Sequence, residues 1–298
     1  MRDRTGASGP AERRHSTFSV EFGGVQREAA VFVPSRYATG TAMPLVIALH
    51  GGSGDASVMY APDKRITAHA ESDGFIAVFP NGLPKPDQPD SRNYFWGDPI
   101  NIAYIAFLMD QLIERYTIDT ERLYVIGFSG GAKLIYGLAC DPVISARIAA
   151  IGTVAGDIGS RQLEPPASPW EITDPSVTGG APMPAFLVQG QRDDHMPILG
   201  GFNDDRDKLL IGFETKTAIW RAFVGARAET PIPSTLPADV SASAWTNPDS
   251  GHVVVAAVDA TLAHQWPRWD LMGVLWDFFQ TMPPRTARSP TPHMAHAE

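Results

Sequence analysis

One stretch constrains this chain more than any other: Leu123-Tyr124-Val125-Ile126-Gly127-Phe128-Ser129-Gly130-Gly131-Ala132-Lys133-Leu134. It opens as an apolar run rich in β-branched residues, turns sharply through G-F-S-G-G, and continues with helical spacing at Leu134, Ile135 and Leu138. A strand that hands over to a helix within one turn brings two backbones close together. Glycine at 127 and 131 removes the side chains that would collide there. Ser129 falls at the apex of the turn, and the helix behind it points N–H groups at any negative charge that develops nearby. A glycine-rich turn holding a solvated serine is the plainer reading, but it explains neither the strand before nor the apolar helix face after.

The rest of the chain alternates in the same way. Thr17–Phe22 and Arg27–Val33, separated by Gly23-Gly24, read as an antiparallel hairpin at a sheet edge. Continuous apolar runs at 44–49, 75–79, 149–154, 185–189 and 253–258 read as strands buried on both faces. A helix fills part of 57–72, and a clearer one carries Ile105, Leu108, Met109, Leu112 and Ile113 on one side. Further helices are expected near 214–224 and at the end, with Met272, Leu275, Trp276 and Phe279 inward. Residues 83–99, 157–184 and 225–251 read as long loops rich in proline, glycine or polar residues. The fold class is therefore α/β: a mostly parallel sheet with helices on both faces and an N-terminal antiparallel hairpin. We expect one domain over residues 16–282, with disordered tails at 1–15 and 283–298.

In such a sheet, sites open at the carboxyl ends of the strands. A serine hydroxyl needs a base to take its proton, and the base needs an acid to fix its tautomer. On a strand–nucleophile–helix scaffold the chain order is Ser, then Asp or Glu, then His. Ser129, Asp193 and His264 satisfy that order. Asp194 and Asp157 remain open as alternatives for the acid. His252 precedes the strand at 253–258, whereas His264 follows it and so reaches the carboxyl edge. Two N–H donors are needed for the oxyanion, and Gly130 with Gly52 of the His50-Gly51-Gly52-Ser53 loop are the candidates. His50, Trp96 and Trp266 are candidate pocket residues.

Net charge is −9, with no basic stripe of the kind that neutralises phosphates, so nucleic acid is not an expected partner. No stretch approaches the roughly twenty apolar residues of a membrane span. The only cysteine is Cys140, which rules out an intrachain disulfide and reads as a small buried apolar residue. Residues 203–207 (NDDRD) lack the spacing and glycine of a calcium loop, and Asp193-Asp194-His195 has no second ligand pair, so no metal is expected. No cofactor is expected either. The polar, charged start lacks the apolar core of a secretory signal, which points to a cytoplasmic protein, or to a secreted one whose signal has been removed.

The succession PLVIALHGGSG, AVFPNG, RLYVIGFSGGAKLIYGLAC, IGTVAG, QGQRDDHMP and HQWP resembles the polyhydroxybutyrate depolymerase and feruloyl esterase group of α/β-hydrolases over roughly residues 17–280. The resemblance implies an α/β-hydrolase fold, Ser129 as nucleophile, Asp193 as acid and His264 as base. Three departures stand out. Gln189 stands where the family commonly has His. Ile100-Asn101-Ile102 replaces an acidic pair early in a helix. Val224-Gly225-Ala226 replaces N-G-C, so a disulfide usual in secreted members is missing. The implied activity is hydrolysis of small or oligomeric carboxylic esters, of feruloyl, acetyl or hydroxyalkanoate type. The triad spacing also fits a peptidase or thioesterase on this scaffold, or a non-catalytic binding protein.

Overall fold

The computed structural model describes residues 15–52, 54–84, 93–156, 175, 178–203, 208–232 and 235–285. Ten strands form its main sheet: β1 (His15–Phe22), β2 (Val25–Phe32), β3 (Met43–Leu49), β4 (Ile76–Pro80), β5 (Ile118–Phe128), β6 (Ala150–Val154), β7 (Ala185–Gly190), β8 (Ala228–Glu229), β9 (Val240–Thr246) and β10 (Val253–Asp259). Their spatial order is β1-β2-β4-β3-β5-β6-β7-β10-β9-β8. The six central strands run parallel, and antiparallel pairings complete both sides.

The continuous apolar runs are explained by what lies on each face. Leu45, Ile47 and Leu49 of β3 join Val125, Ile151, Leu187 and Val254 in one core. Val46 and Ala48 point the other way and join Ile126, Phe186, Val188 and Val255 in a second. The first core is closed by helices α1 (Ile100–Arg115), α2 (Gly130–Cys140) and α3 (Phe213–Val224). The second is closed by short helical turns between Ala56 and Gly74 and by α4 (Leu271–Thr281). Each fully buried aliphatic side chain contributes about 1.5–3 kcal/mol, so both faces must be covered for the sheet to hold.

Some elements differ from the sequence reading. The helix expected within 57–72 is broken, because Pro62 starts a new turn and Arg65 takes a left-handed φ of 58°. The stretch 225–251 is not one loop, since β8 and β9 lie within it. β9 (V-S-A-S-A-W-T) pairs with β10 along its full length, although its small side chains give little hydrophobic signal. Leu83–Pro84 pairs with Tyr94–Phe95 inside the expected loop 83–99. Most of 157–184 lies outside the described residues, as do 1–14 and 286–298.

A polar clamp ties the early turns to the last helix. His69 Nδ1 lies 2.6 Å from Asp73, and Nε2 lies 2.9 Å from Asp270, which also caps α4 through the Gly273 N–H. Burial alone would lower the His69 pKa, but the hydrogen bonds to Asp73 and Asp270 outweigh it and the net shift is upward. A histidine whose folded pKa is raised contributes stability that is full below its unfolded value of about 6.5 and is lost as pH rises through the folded value. Melting curves from pH 6 to 9 should therefore show this contribution declining, and His69→Gln should flatten the decline. A decline unchanged in that variant would assign it to other groups.

Candidate active site

The carboxyl ends of β3, β5, β7 and β10 deliver four loops to one edge of the sheet: His50–Gly52, Ser129, Gln191–Met196 and Ala260–Trp266. The Ser129 turn is the tightest. Ser129 has φ 49° and ψ −111°, an unfavourable conformation for a side chain-bearing residue. Its N–H donates to Val154 O at 2.9 Å, which pins the turn to the end of β6. A Cβ on Gly127 would lie 2.7 Å from the Gly131 carbonyl carbon. One on Gly131 would lie 2.5 Å from Leu49 O and 2.6 Å from His50 O. Both glycines are thus required by close backbone approach.

Ser129 Oγ lies 3.0 Å from His264 Nε2, and His264 Nδ1 lies 2.9 Å from Asp193 Oδ2. Asp193 is only 4% exposed. Its Oδ1 accepts the N–H groups of His195 (3.0 Å) and Met196 (2.7 Å), and its Oδ2 also accepts from Gln189 Nε2 at 3.3 Å. Four donors on one buried carboxylate fix its orientation. With Asp193 accepting at Nδ1–H, His264 presents an unprotonated Nε2 to the serine hydroxyl. The Phe128 and His195 rings flank the imidazole at centroid distances of 5.0 and 4.5 Å.

Backbone donors lie beside the serine. Gly130 begins α2, and a Cβ there would sit 3.0 Å from Gly52 N, so the Gly52 and Gly130 amides are neighbours. His50 holds the loop that carries Gly52. It is fully buried, with Nδ1–H donating to Gly51 O at 2.6 Å and Nε2 accepting from Gly82 N–H at 3.2 Å. Burial lowers its pKa to about 4, against the opposing pull of the Gly51 carbonyl, so it stays neutral. Trp96 Nε1 donates to His50 O at 2.8 Å.

Of the sequence candidates, Ser129, Asp193 and His264 come together, with Gly52 and Gly130 beside them. Asp194 is exposed, and Asp157 lies outside the described residues. His252 precedes β10, at the opposite end of that strand from the His264 loop. His50, Trp96 and Trp266, the residues expected beside a pocket, are all buried. Trp96 is 3% and Trp266 7% exposed, and the contacts of His50 and Trp96 go to loop backbone that must be satisfied internally.

The sequence reading noted Gln189 without giving it a role and missed Asp259. Gln189, at the family's common histidine position, bridges Asp193 and Met196 O. Asp259 organises the loop that carries His264, with Oδ1 accepting from Thr261 N, Thr261 Oγ1 and Leu262 N, and Oδ2 accepting from Trp269 Nε1. The D-A-T spacing of 259–261 is an Asx-turn signal that could have found it. Among the described residues, no group of three His, Cys, Asp or Glu side chains could hold a metal ion, and no helix is long and apolar enough to cross a membrane.

Residues 28–162 match the family model described as Esterase PHB depolymerase. Over that stretch, a little under half of its length, the chain is similar to the PHB depolymerase esterases. The bifunctional acetylxylan esterase/xylanase XynS20E of Neocallimastix patriciarum is 28% identical over 196 residues, covering 62% of this chain and 25% of that protein. Feruloyl esterase B of Neurospora crassa is 30% identical over 113 residues, 35% of each chain. The chain thus spans about a quarter to a third of the length of these two relatives. An acetyl xylan esterase structure from Aspergillus awamori superposes with a TM-score of 0.59 at 17% identity, covering 89% of this chain and 99% of that one. The shared fold is that of the α/β-hydrolases.

Proposed function

We propose that this protein is a carboxylic ester hydrolase that works through an acyl-enzyme. The observation that carries the reading is the unbroken relay from Ser129 Oγ through His264 to the buried Asp193. Ser129 attacks the ester carbonyl while His264 Nε2 takes its proton. Asp193 stabilises the imidazolium, which then protonates the leaving alcohol. The Gly52 and Gly130 amides hold the oxyanion, where each such donor is worth about 3–4 kcal/mol in comparable enzymes. Water, deprotonated by His264, releases the acid and restores the serine. The steps call for no cofactor, and residues 16–282 form the catalytic domain.

The substrates we favour are small or oligomeric esters of acetyl, feruloyl or hydroxyalkanoate type, in line with the named activities of the relatives. The test is hydrolysis of a chain-length series of p-nitrophenyl esters, with methyl ferulate and hydroxybutyrate oligomers, alongside matched amides and thioesters. Preferred turnover of oxyesters supports the reading. Preference for amides or thioesters would make this a peptidase or thioesterase. Binding without turnover, together with failure of a fluorophosphonate to label Ser129, would make it a binding protein.

A further inference from the structure

Away from the serine, a positive charge is buried without an acid in contact. Arg27 of β2 is 1% exposed, and Asn101 and Tyr104 of α1 are fully buried against it. The guanidinium lies 3.7 Å from the Tyr104 ring centroid. Its Nη2 donates to Asn81 O at 3.1 Å and to Asn101 Oδ1 at 2.8 Å. Among the described residues, Arg27 Nε and Nη1, Asn101 Nδ2 and the Tyr104 hydroxyl are buried with no hydrogen-bond partner, and Arg27 makes no ion pair. The nearby Asp98 acts on Arg27 through space, while its Oδ1 accepts the Ile100 N–H at the start of α1.

This arrangement is expensive in every part. An arginine stays protonated at any working pH. A charge taken out of water with no counter-charge in contact is costly, and each orphaned donor adds to that cost. Burial raises the Tyr104 pKa to about 12, so its hydroxyl keeps its proton and remains a donor. Everything left unpaired in this cluster is a donor or able to donate, and it lies on the guanidinium or on the two side chains in contact with it. The Ile100-Asn101-Ile102 segment, where the resembled family has an acidic pair, puts a neutral amide against the guanidinium.

We propose that Arg27, Asn101 and Tyr104 form a buried site for a small monovalent anion of chloride size. The charge and the donors select it together. One cation is neutralised by one negative charge, and the enclosed position disfavours sulfate or phosphate, whose second charge would be desolvated without compensation. Water would satisfy the donors and leave the charge.

The test is thermal melting of the whole protein in sodium chloride against sodium gluconate at matched ionic strength, with crystals soaked in sodium bromide. The wild type should gain stability saturably with chloride, by about 3 °C at ten times Kd. Bromide should give an anomalous peak in contact with Arg27. Asn101→Asp, which keeps the side-chain shape and supplies an internal carboxylate, should lose both responses and melt higher than the wild type in gluconate. Equal melting of the wild type in the two salts, absence of a bromide peak at Arg27, or an undiminished chloride response in Asn101→Asp would each overturn the proposal. Arg27→Met should also lose the response, but the Asn101 variant decides the matter if that protein does not fold.

Discussion

Ser129→Ala should lower ester turnover by about 10⁶-fold while the protein folds as before. The size follows from the way the relay works as a unit. Removing a serine nucleophile alone costs about as much as removing the whole triad, because His264 and Asp193 then have no hydroxyl to activate. The residual rate comes from substrate binding and the Gly52 and Gly130 amides. The fold should survive because Ser129 Oγ has its hydrogen bond to His264, whereas the turn is held by the backbone bond to Val154 O and by contacts at Gly127 and Gly131. Alanine does not relieve the φ of 49°, so no large gain in stability is expected either. Single-turnover kinetics and melting of the two proteins check both halves. Turnover within tenfold of the wild type would remove Ser129 from the mechanism.

How much of this was readable in the sequence depended on how locally each feature is encoded. The Ser129 turn was legible because its strand, glycines and helix face occupy twelve consecutive positions, all shaped by the same close approach. The buried parallel strands were legible for a related reason: covering on both faces leaves no polar position to interrupt them. β9 was not, because it lies toward the edge of the sheet and its V-S-A-S-A-W-T sequence reflects pairing with β10 more than burial. Among the acids, Asp193 and Asp194 are neighbours that sequence order could not separate. The loop geometry separates them, burying Asp193 beneath the His195 and Met196 amides and leaving Asp194 exposed. Arg27 and Asn101 are 74 positions apart, so their contact has no local signature.

Asp193→Asn should lower kcat by about 10⁴-fold, with a smaller effect on KM. The loss depends on which atom faces His264. The Oδ1 atom can still accept the His195 and Met196 N–H groups, so the amide would keep its oxygen on that side. Its NH₂ would then replace Oδ2, which now accepts from His264 Nδ1 and Gln189 Nε2. An amide donor facing Nδ1 selects the tautomer protonated on Nε2, and that nitrogen can no longer accept the Ser129 proton. The imidazolium of the transition state also loses the buried charge beside it. The same NH₂ would face the Gln189 donor, so a modest loss of stability should accompany the loss of rate. The expected signature is therefore a kcat collapse in a folded protein that still binds substrate. A variant within tenfold of wild-type kcat would mean that Asp193 does not orient His264, and would reopen the assignment of the acid to Asp194 or Asp157.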